Sequence, residues 1–297
     1  MKVFYRRLPR FKYVRVKTVE DVLDCLAEYK ENARLLAGGT DLIPQLKQRE
    51  IPIPEHVIDM KGIPGLEAIT YDEEYGLKIG PLTTMSAIER SPVMRERFSI
   101  LVQAASSMAS PQIRNRGTFA GNICSAVPSA DSVPALMVMG ARVVLKAMTG
   151  DRMVPLDQFF RGPRKTVMQE DEMLLHILVP QPAPATRGVY LKLSPRHSMD
   201  LAIVGVAAAG SCENGICSHI KIALGAVAPT PVRAPVAEAM LQGQKVTPAI
   251  INEAAKNVIT QCSPIDDHRA SAEYRCDMLH VLTRRALTQV LLPQGGK

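Results

Sequence analysis

No tryptophan occurs among the 297 residues, and aromatic side chains make up only 4% of them. So thin a supply of flat rings argues against a single-strand nucleic-acid binder, which stacks bases on aromatic platforms. No apolar run reaches the roughly 18 residues that a membrane helix needs, so no membrane role is expected. The six cysteines, at 25, 124, 212, 217, 262 and 276, make neither a CxxC pair nor a dense framework, which speaks against a disulfide scaffold. The first residues resemble neither an apolar-cored secretory leader nor a Ser-rich import peptide. A cytoplasmic protein with reduced thiols is therefore expected.

What is present is ordinary in amount and uneven in placement. The chain is 46% hydrophobic and 22% charged, which excludes global disorder, and its length suggests about two domains. The net charge of +7 is local. Lys2, Arg6, Arg7, Arg10, Lys12, Arg15 and Lys17 fall in residues 1–17 without one acid, and the rest of the chain balances its charges. A nucleic-acid protein spreads a basic face over its whole domain. A short basic strip on a neutral body reads instead as a solvated edge strand or a docking strip for an acidic partner.

Hydrophobic spacing predicts the elements. Thr18, with Asp21 three residues on, opens a helix whose Val19, Val22, Leu23 and Leu26 share a face. Arg34 to Ala37 and His56 to Asp59 read as strands. Leu66–Thr70 and Leu77–Gly80 form a pair around an acidic turn. A helix bearing Ile100, Leu101, Ala104, Ala105 and Met108 stops at Ser110-Pro111. Residues 112–132 show no periodicity, and irregular stretches of that length inside a domain are usually functional. A Pro-rich linker at 179–184 precedes an apolar run, Leu201–Ala209, expected to be a strand buried on both faces. The turn Glu213-Asn214-Gly215 then returns through Ile216, Ser218, Ile220, Ile222 and Leu224. Helices are predicted over about 249–260 and 272–291. Strands and helices mix without a βαβ rhythm, so the class is α+β.

Two loops have the composition of a phosphate cradle. In Leu36-Ala37-Gly38-Gly39-Thr40-Asp41, successive glycines after a strand bring several N–H groups to one point, and Thr40 adds a hydroxyl. The plain alternative is a turn. The second loop, Ile113-Arg114-Asn115-Arg116-Gly117-Thr118-Phe119-Ala120-Gly121-Asn122, offers small residues for close backbone approach, a hydroxyl and an amide. Asp131, nine residues on, either accepts hydrogen bonds from ligand hydroxyls or caps the helix that starts near Val133.

Taken together, AGGTDL at 37–42, PQIRNRGTFAGNICSAVPSADSVPAL at 111–136, FFRGPRKT at 159–166, YLKLSPRHSMDLAIVGVA at 190–207 and GAVAPTPVR at 225–233 carry a resemblance over nearly the whole chain. The sequence resembles the flavin subunit of the molybdenum hydroxylases, as in bacterial xanthine dehydrogenase and its carbon monoxide dehydrogenase relatives. The resemblance implies a two-lobed FAD-binding domain of the vanillyl-alcohol-oxidase-like type over 1–180, with lobes of about 1–60 and 61–180. A C-terminal α+β flavoprotein domain follows over 187–297. It implies that Arg34, Leu35, Leu36, Ala37, Gly38, Gly39, Thr40 and Asp41 form the first FAD loop, cradling the pyrophosphate. Gly117, Thr118, Phe119, Ala120, Gly121 and Asn122 form the second, and Asp131 holds ribityl or ribose hydroxyls. Met173, Leu191 and Lys192 close over the adenine and flavin ends. The family commonly has glycine where this chain has Ala120, a difference that is tolerable where φ is negative.

The resemblance further implies the electron route. Iron–sulfur clusters need closely spaced cysteines, and this chain has no such set. FAD is thus the expected cofactor here, with [2Fe–2S] on an iron–sulfur partner subunit, a molybdenum cofactor on another subunit, and NAD+ as acceptor. The PSADS and APTPVR segments lean towards xanthine dehydrogenases, with carbon monoxide, nicotinate or aromatic thioester enzymes as the alternative. A stand-alone flavin reductase would need a substrate pocket and proton donor, for which no motif is seen. Cys262, His268, Cys276 and His280 have zinc-ligand types but the spacing of no common zinc module. His176, in an apolar strand, reads as a hydrogen-bonded structural residue.

Overall fold

The computed structural model describes residues 7–196 and 200–292. Lys2 and Arg6 of the basic strip lie outside the described residues. The first lobe is a parallel sheet of β1 (Lys12–Arg15), β2 (Ala33–Leu36) and β3 (His56–Asp59), in the order β1-β3-β2. It packs on α1 (Val19–Tyr29). The Thr18 hydroxyl accepts the Asp21 N–H and the Asp21 carboxylate accepts the Thr18 N–H, each at 3.0 Å, a reciprocal capping box that closes although Asp is shorter than the Glu such boxes favour. Val22, Leu23 and Leu26 are buried. β1 is an edge strand with Lys12, Tyr13 and Arg15 exposed, a charged rim that blunts strand-on-strand pairing. A helix that the spacing did not reveal, α2 (Leu42–Gln48), leaves directly from the glycine loop.

The second lobe starts with the hairpin β4 (Ile69–Asp72) and β5 (Gly76–Ile79). Next come α3 (Met85–Arg90), α4 (Pro92–Arg97) and α5 (Ser99–Ser106). The stretch expected to be irregular instead holds α6 (Pro111–Arg114) and α7 (Phe119–Cys124), and α8 (Ser132–Val138) closes it. Helices of four and six residues are too short to display a 3.6 period, so each is set by its cap. Pro111 sits at the first helical position behind Ser110, where its missing N–H costs nothing. Then follow β6 (Arg142–Ala147), β7 (Gly150–Pro155), the short pair β8 (Phe160–Gly162) and β9 (Lys165–Thr166), and β10 (Met173–Val179). The antiparallel sheet runs β4-β5-β10-β6-β7.

The C-terminal domain is the antiparallel sheet β11 (Arg187–Leu193), β12 (Val204–Glu213), β13 (Ile216–Gly225) and β14 (Val232–Arg233). Its helices are α9 (Pro235–Leu241), α10 (Pro248–Asn257) and α11 (Ala272–Leu291). β12 is buried on both faces, as its unbroken apolar run predicts. Val204, Val206 and Ala208 join the core under α10 and α11. Ala207 and Ala209 face the other way, into the core of the second lobe, where small side chains let α8 approach closely. Asn214 and Gly215, at φ 51° and 78°, make the expected turn. The return strand corrects the expected alternation. The register shifts between Ser211 and Cys212, one residue of β13 drops out of step, and the buried positions change from Cys217 to Ile220, Ile222 and Leu224. Ile216 is consequently exposed.

α11 carries a buried arginine. Arg275 donates to the carbonyls of Ile203 (2.6 Å) and Ala226 (3.2 Å) and to Asp267 (2.8 Å), tying the helix to both central strands. Burial pushes the Asp267 carboxyl up, but the Arg269 and Ala270 N–H groups and the Arg275 guanidinium outweigh it and bring the pKa from 3.8 to about 2. A depressed carboxyl adds stability above its unfolded value and loses it as pH falls through the folded one. Asp267→Asn should therefore lower stability by about 2 kcal/mol near neutral pH. Chemical unfolding across an acid series should show that gap closing between about pH 4 and pH 2, and a constant gap would exclude the assignment.

Candidate functional site

Two chain segments far apart in sequence meet because glycines stand at the contact. A Cβ on Gly38 would lie 2.1 Å from the Arg116 carbonyl oxygen and 2.9 Å from the Gly117 Cα. No other residue allows the loop after β2 to lie against the start of α7. Gly39, at φ +75°, then turns the chain into α2. Among the described residues, no acceptor takes the N–H groups of Gly38, Gly39 or Thr40. The Asp41 carboxylate does not cap α2 and instead accepts the Ser125 hydroxyl at 2.6 Å, fastening this loop to the end of α7.

On the facing side, the Thr118 hydroxyl oxygen accepts the Gly121 N–H at 2.9 Å, which caps α7 and leaves the hydroxyl proton free to be donated. The Asn122 side-chain oxygen accepts from Ser132 at 2.7 Å, so its amide nitrogen keeps its donors. Asp131 does not cap α8. One of its oxygens accepts the Tyr190 hydroxyl at 2.6 Å and the other the Lys192 ammonium at 2.7 Å. Lys192 uses its remaining donors on the carbonyls of Ser107 (3.1 Å) and Asp200 (3.0 Å). Burial raises the Asp131 carboxyl against the pull of Lys192 and Tyr190, and holds the Tyr190 phenol well above its ordinary 10.

These elements enclose a cavity of about 700 Å³. Of the residues expected to form a site, Arg34, Leu35, residues 37–41, Thr118, Gly121, Asn122 and Asp131 line it. Leu36 and Gly117 stand behind the lining, Gly117 as the surface on which Gly38 rests. Phe119 and Ala120 point into the core of the second lobe. Ala120 therefore puts no Cβ in the cavity, and its φ is not positive. Met173 departs from expectation: it is fully buried with Val16, Leu23 and Met60, joining β10 to the first lobe. Leu191 also lies elsewhere, packed on the C-terminal core, because successive strand residues face opposite ways. Lys192 acts from behind Asp131.

Ile113, which opens the second candidate loop, lines it too, and Met85, Met108, Arg164 and Arg269 reach the cavity without having been expected as site residues. Arg196 lines it as well, paired with Asp200 at 3.1 Å. The zinc-like residues are engaged otherwise: Cys262 donates to the Val258 carbonyl, and His280 bonds Asn252. Among the described residues, no group of three such side chains could hold a metal. His176 differs from its expected role. Its buried Nδ1 has no partner among the described residues, and burial takes its pKa from 6.5 to about 4.

Residues 9–182 match the family of the FAD binding domain in molybdopterin dehydrogenase, and residues 189–290 match the CO dehydrogenase flavoprotein C-terminal domain. The chain belongs to this family. It is 37% identical to the carbon monoxide dehydrogenase medium chain of Hydrogenophaga pseudoflava, over 94% of this chain and 96% of that one. It is 32% identical to the xanthine dehydrogenase FAD-binding subunit of Escherichia coli O157:H7, over 96% and 97%. The solved carbon monoxide dehydrogenase from Hydrogenophaga pseudoflava superposes with a TM-score of 0.92, covering 96% of this chain and 98% of that one. The α+β architecture of an FAD-binding domain followed by a flavoprotein C-terminal domain is thus a property of the family. Among the described residues, no helix is long and apolar enough to cross a membrane.

The buried pair behind the cavity has a direct test. Lys192→Met should leave Asp131 buried without its cation and cost about 3 kcal/mol in urea unfolding. Adding Asp131→Asn should recover part of that loss, and strictly additive effects would mean that the two side chains do not interact.

Proposed function

We propose that the chain is the FAD-carrying electron-transfer subunit of a molybdenum hydroxylase, working with an iron–sulfur subunit and a molybdenum-cofactor subunit. The observation that carries this reading is the meeting of the two glycine loops at the cavity wall. A pyrophosphate needs converging N–H donors and room for the backbone to come close, and Gly38 and Gly39 provide both. Thr40 and the free proton of Thr118 add neutral donors. Asp131 keeps lone pairs for ligand hydroxyls after serving Tyr190 and Lys192, since a carboxylate has about four acceptor sites.

When bound, FAD supplies a two-electron carrier able to exchange with a metal cluster on one side and a nicotinamide on the other. The chain's own part is to hold, orient and shield. Loop amides fix the pyrophosphate, Asp131 fixes the hydroxyl-bearing segment, and Met85, Met108 and Ile113 supply apolar wall. NAD+ is the acceptor in this reading. The leaning towards xanthine is set aside for the broader assignment, because identity is higher to a carbon monoxide dehydrogenase chain than to a xanthine dehydrogenase subunit.

Purified protein should show a flavin absorption band and release about one FAD per chain on acid treatment. A colourless chain that also fails to take up added FAD would overturn the proposal. Thr40→Val keeps shape and removes one hydroxyl, so FAD should bind about tenfold more weakly in a fluorescence-quenching titration. Capture from the native host should bring down iron- and molybdenum-containing subunits, and NAD+ should reoxidise the captured assembly after dithionite reduction.

A further inference from the structure

The hairpin of β12 and β13 places two cysteines opposite each other at its turn end. Cys212 pairs in register with Cys217 across the Asn214-Gly215 turn, and both are free thiols. Both pack on the core beneath α10 and α11, Cys217 fully buried and Cys212 half-exposed. The backbone fixes their relation more closely. The Cys217 N–H donates to the Gln244 carbonyl at 3.0 Å, and its carbonyl accepts the Gly243 N–H at 2.8 Å. In an extended strand, the N–H and C=O of one residue point to the same side. Cys217 therefore spends both groups away from β12, which makes Cys212 and Cys217 a non-hydrogen-bonded pair. Such pairs hold their Cα atoms about 4.5 Å apart with the side chains close together. That separation lies at the lower end of the range of about 4.4–6.8 Å that a disulfide spans.

We propose that Cys212 and Cys217 form a redox modification site, at which a peroxide converts the two thiols into a cross-strand disulfide. The half-exposed Cys212 sulfur, as thiolate, attacks one peroxide oxygen. The O–O bond breaks, a sulfenic acid forms and water leaves. The Cys217 sulfur then attacks the Cys212 sulfur, forming the S–S bond and expelling the hydroxyl as a second water with the Cys217 proton. Two thiols and one hydrogen peroxide thus give one disulfide and two waters, with the two electrons going to the peroxide. The order of events follows from access. Burial pushes the Cys217 thiol up to about 11, so it reacts as the second, resolving partner.

The modification would staple the far end of the hairpin, where Val246 also donates to the Gly215 carbonyl. Gly225 packs beside Pro128, between the lining residues Val127 and Ser129, and from there back to Cys217 β13 runs about 26 Å at the rise of a strand, so the staple lies well away from that wall. Flavin content is accordingly unaffected.

The test uses the full chain treated with hydrogen peroxide. Intact mass should fall by about 2 Da, and four of the six thiols should remain reactive after denaturation. Cleavage after Glu213 should leave two peptides joined until dithiothreitol is added. Cys212→Ser, a change at a half-exposed position, should abolish the mass loss and the linkage while keeping the fold. Gains of about 16 Da per oxygen at Cys212 without linkage would overturn the proposal, as would six surviving thiols or a bridge mapped to Cys262 and Cys276.

Discussion

A lysine ammonium and an aspartate carboxylate, both almost wholly withdrawn from water, hold the seam between the two domains. Removing such charges from solvent is costly and is offset only when every donor and acceptor is used well. Lys192 meets that condition completely: its three N–H groups go to Asp131, to the Ser107 carbonyl after α5 and to the Asp200 carbonyl before β12. Asp131 in turn takes the Tyr190 hydroxyl. One strand, β11, thereby fixes three segments of backbone that would otherwise meet only through apolar contact. Nonpolar packing can slide by an ångström at little cost, whereas directed bonds of this length cannot. The position of Asp131 at the cavity wall is inherited from that lock.

The lock depends on an absence of side chain as much as on charge. The Tyr190 phenol crosses β12 at Gly205, where a Cβ would lie 2.7 Å from the hydroxyl oxygen. Any other residue there would push the ring off Asp131. The same logic governs the opposite wall, where Gly38 lets two loops touch through their backbones. In both places a missing methyl group allows polar atoms to converge.

Local chemistry was the legible part of the sequence. The box at Thr18 and Asp21, the Asn214-Gly215 turn and the two-faced burial of β12 depend on near neighbours, and the pattern carries them. Gly38 and Thr40 were recognisable as a loop suited to phosphate, and they do line the cavity. What stayed hidden needed tertiary knowledge. Short helices such as α7 are defined by a cap rather than a period. Met173 sits on a strand that crosses between lobes, so its core could not be assigned from its own surroundings. Arg164 and Arg269 reach the cavity from different domains, far apart in sequence, with nothing local to mark them. The bulge in β13 moved the buried face by one residue, which alternation alone cannot foresee.

The cavity draws its wall from both domains, with Arg34 and Thr40 on one side and Arg269 on the other. Whatever fills it therefore counts towards the cohesion of the whole chain. A ligand at one hundred times its dissociation constant adds about 2.7 kcal/mol to the folded state, a sizeable fraction of the usual margin of a domain. Here that increment falls largely on the seam, because contacts made to both sides vanish together when the domains part. Loss of the ligand removes that increment from the seam and leaves the buried Lys192 bonds to hold it.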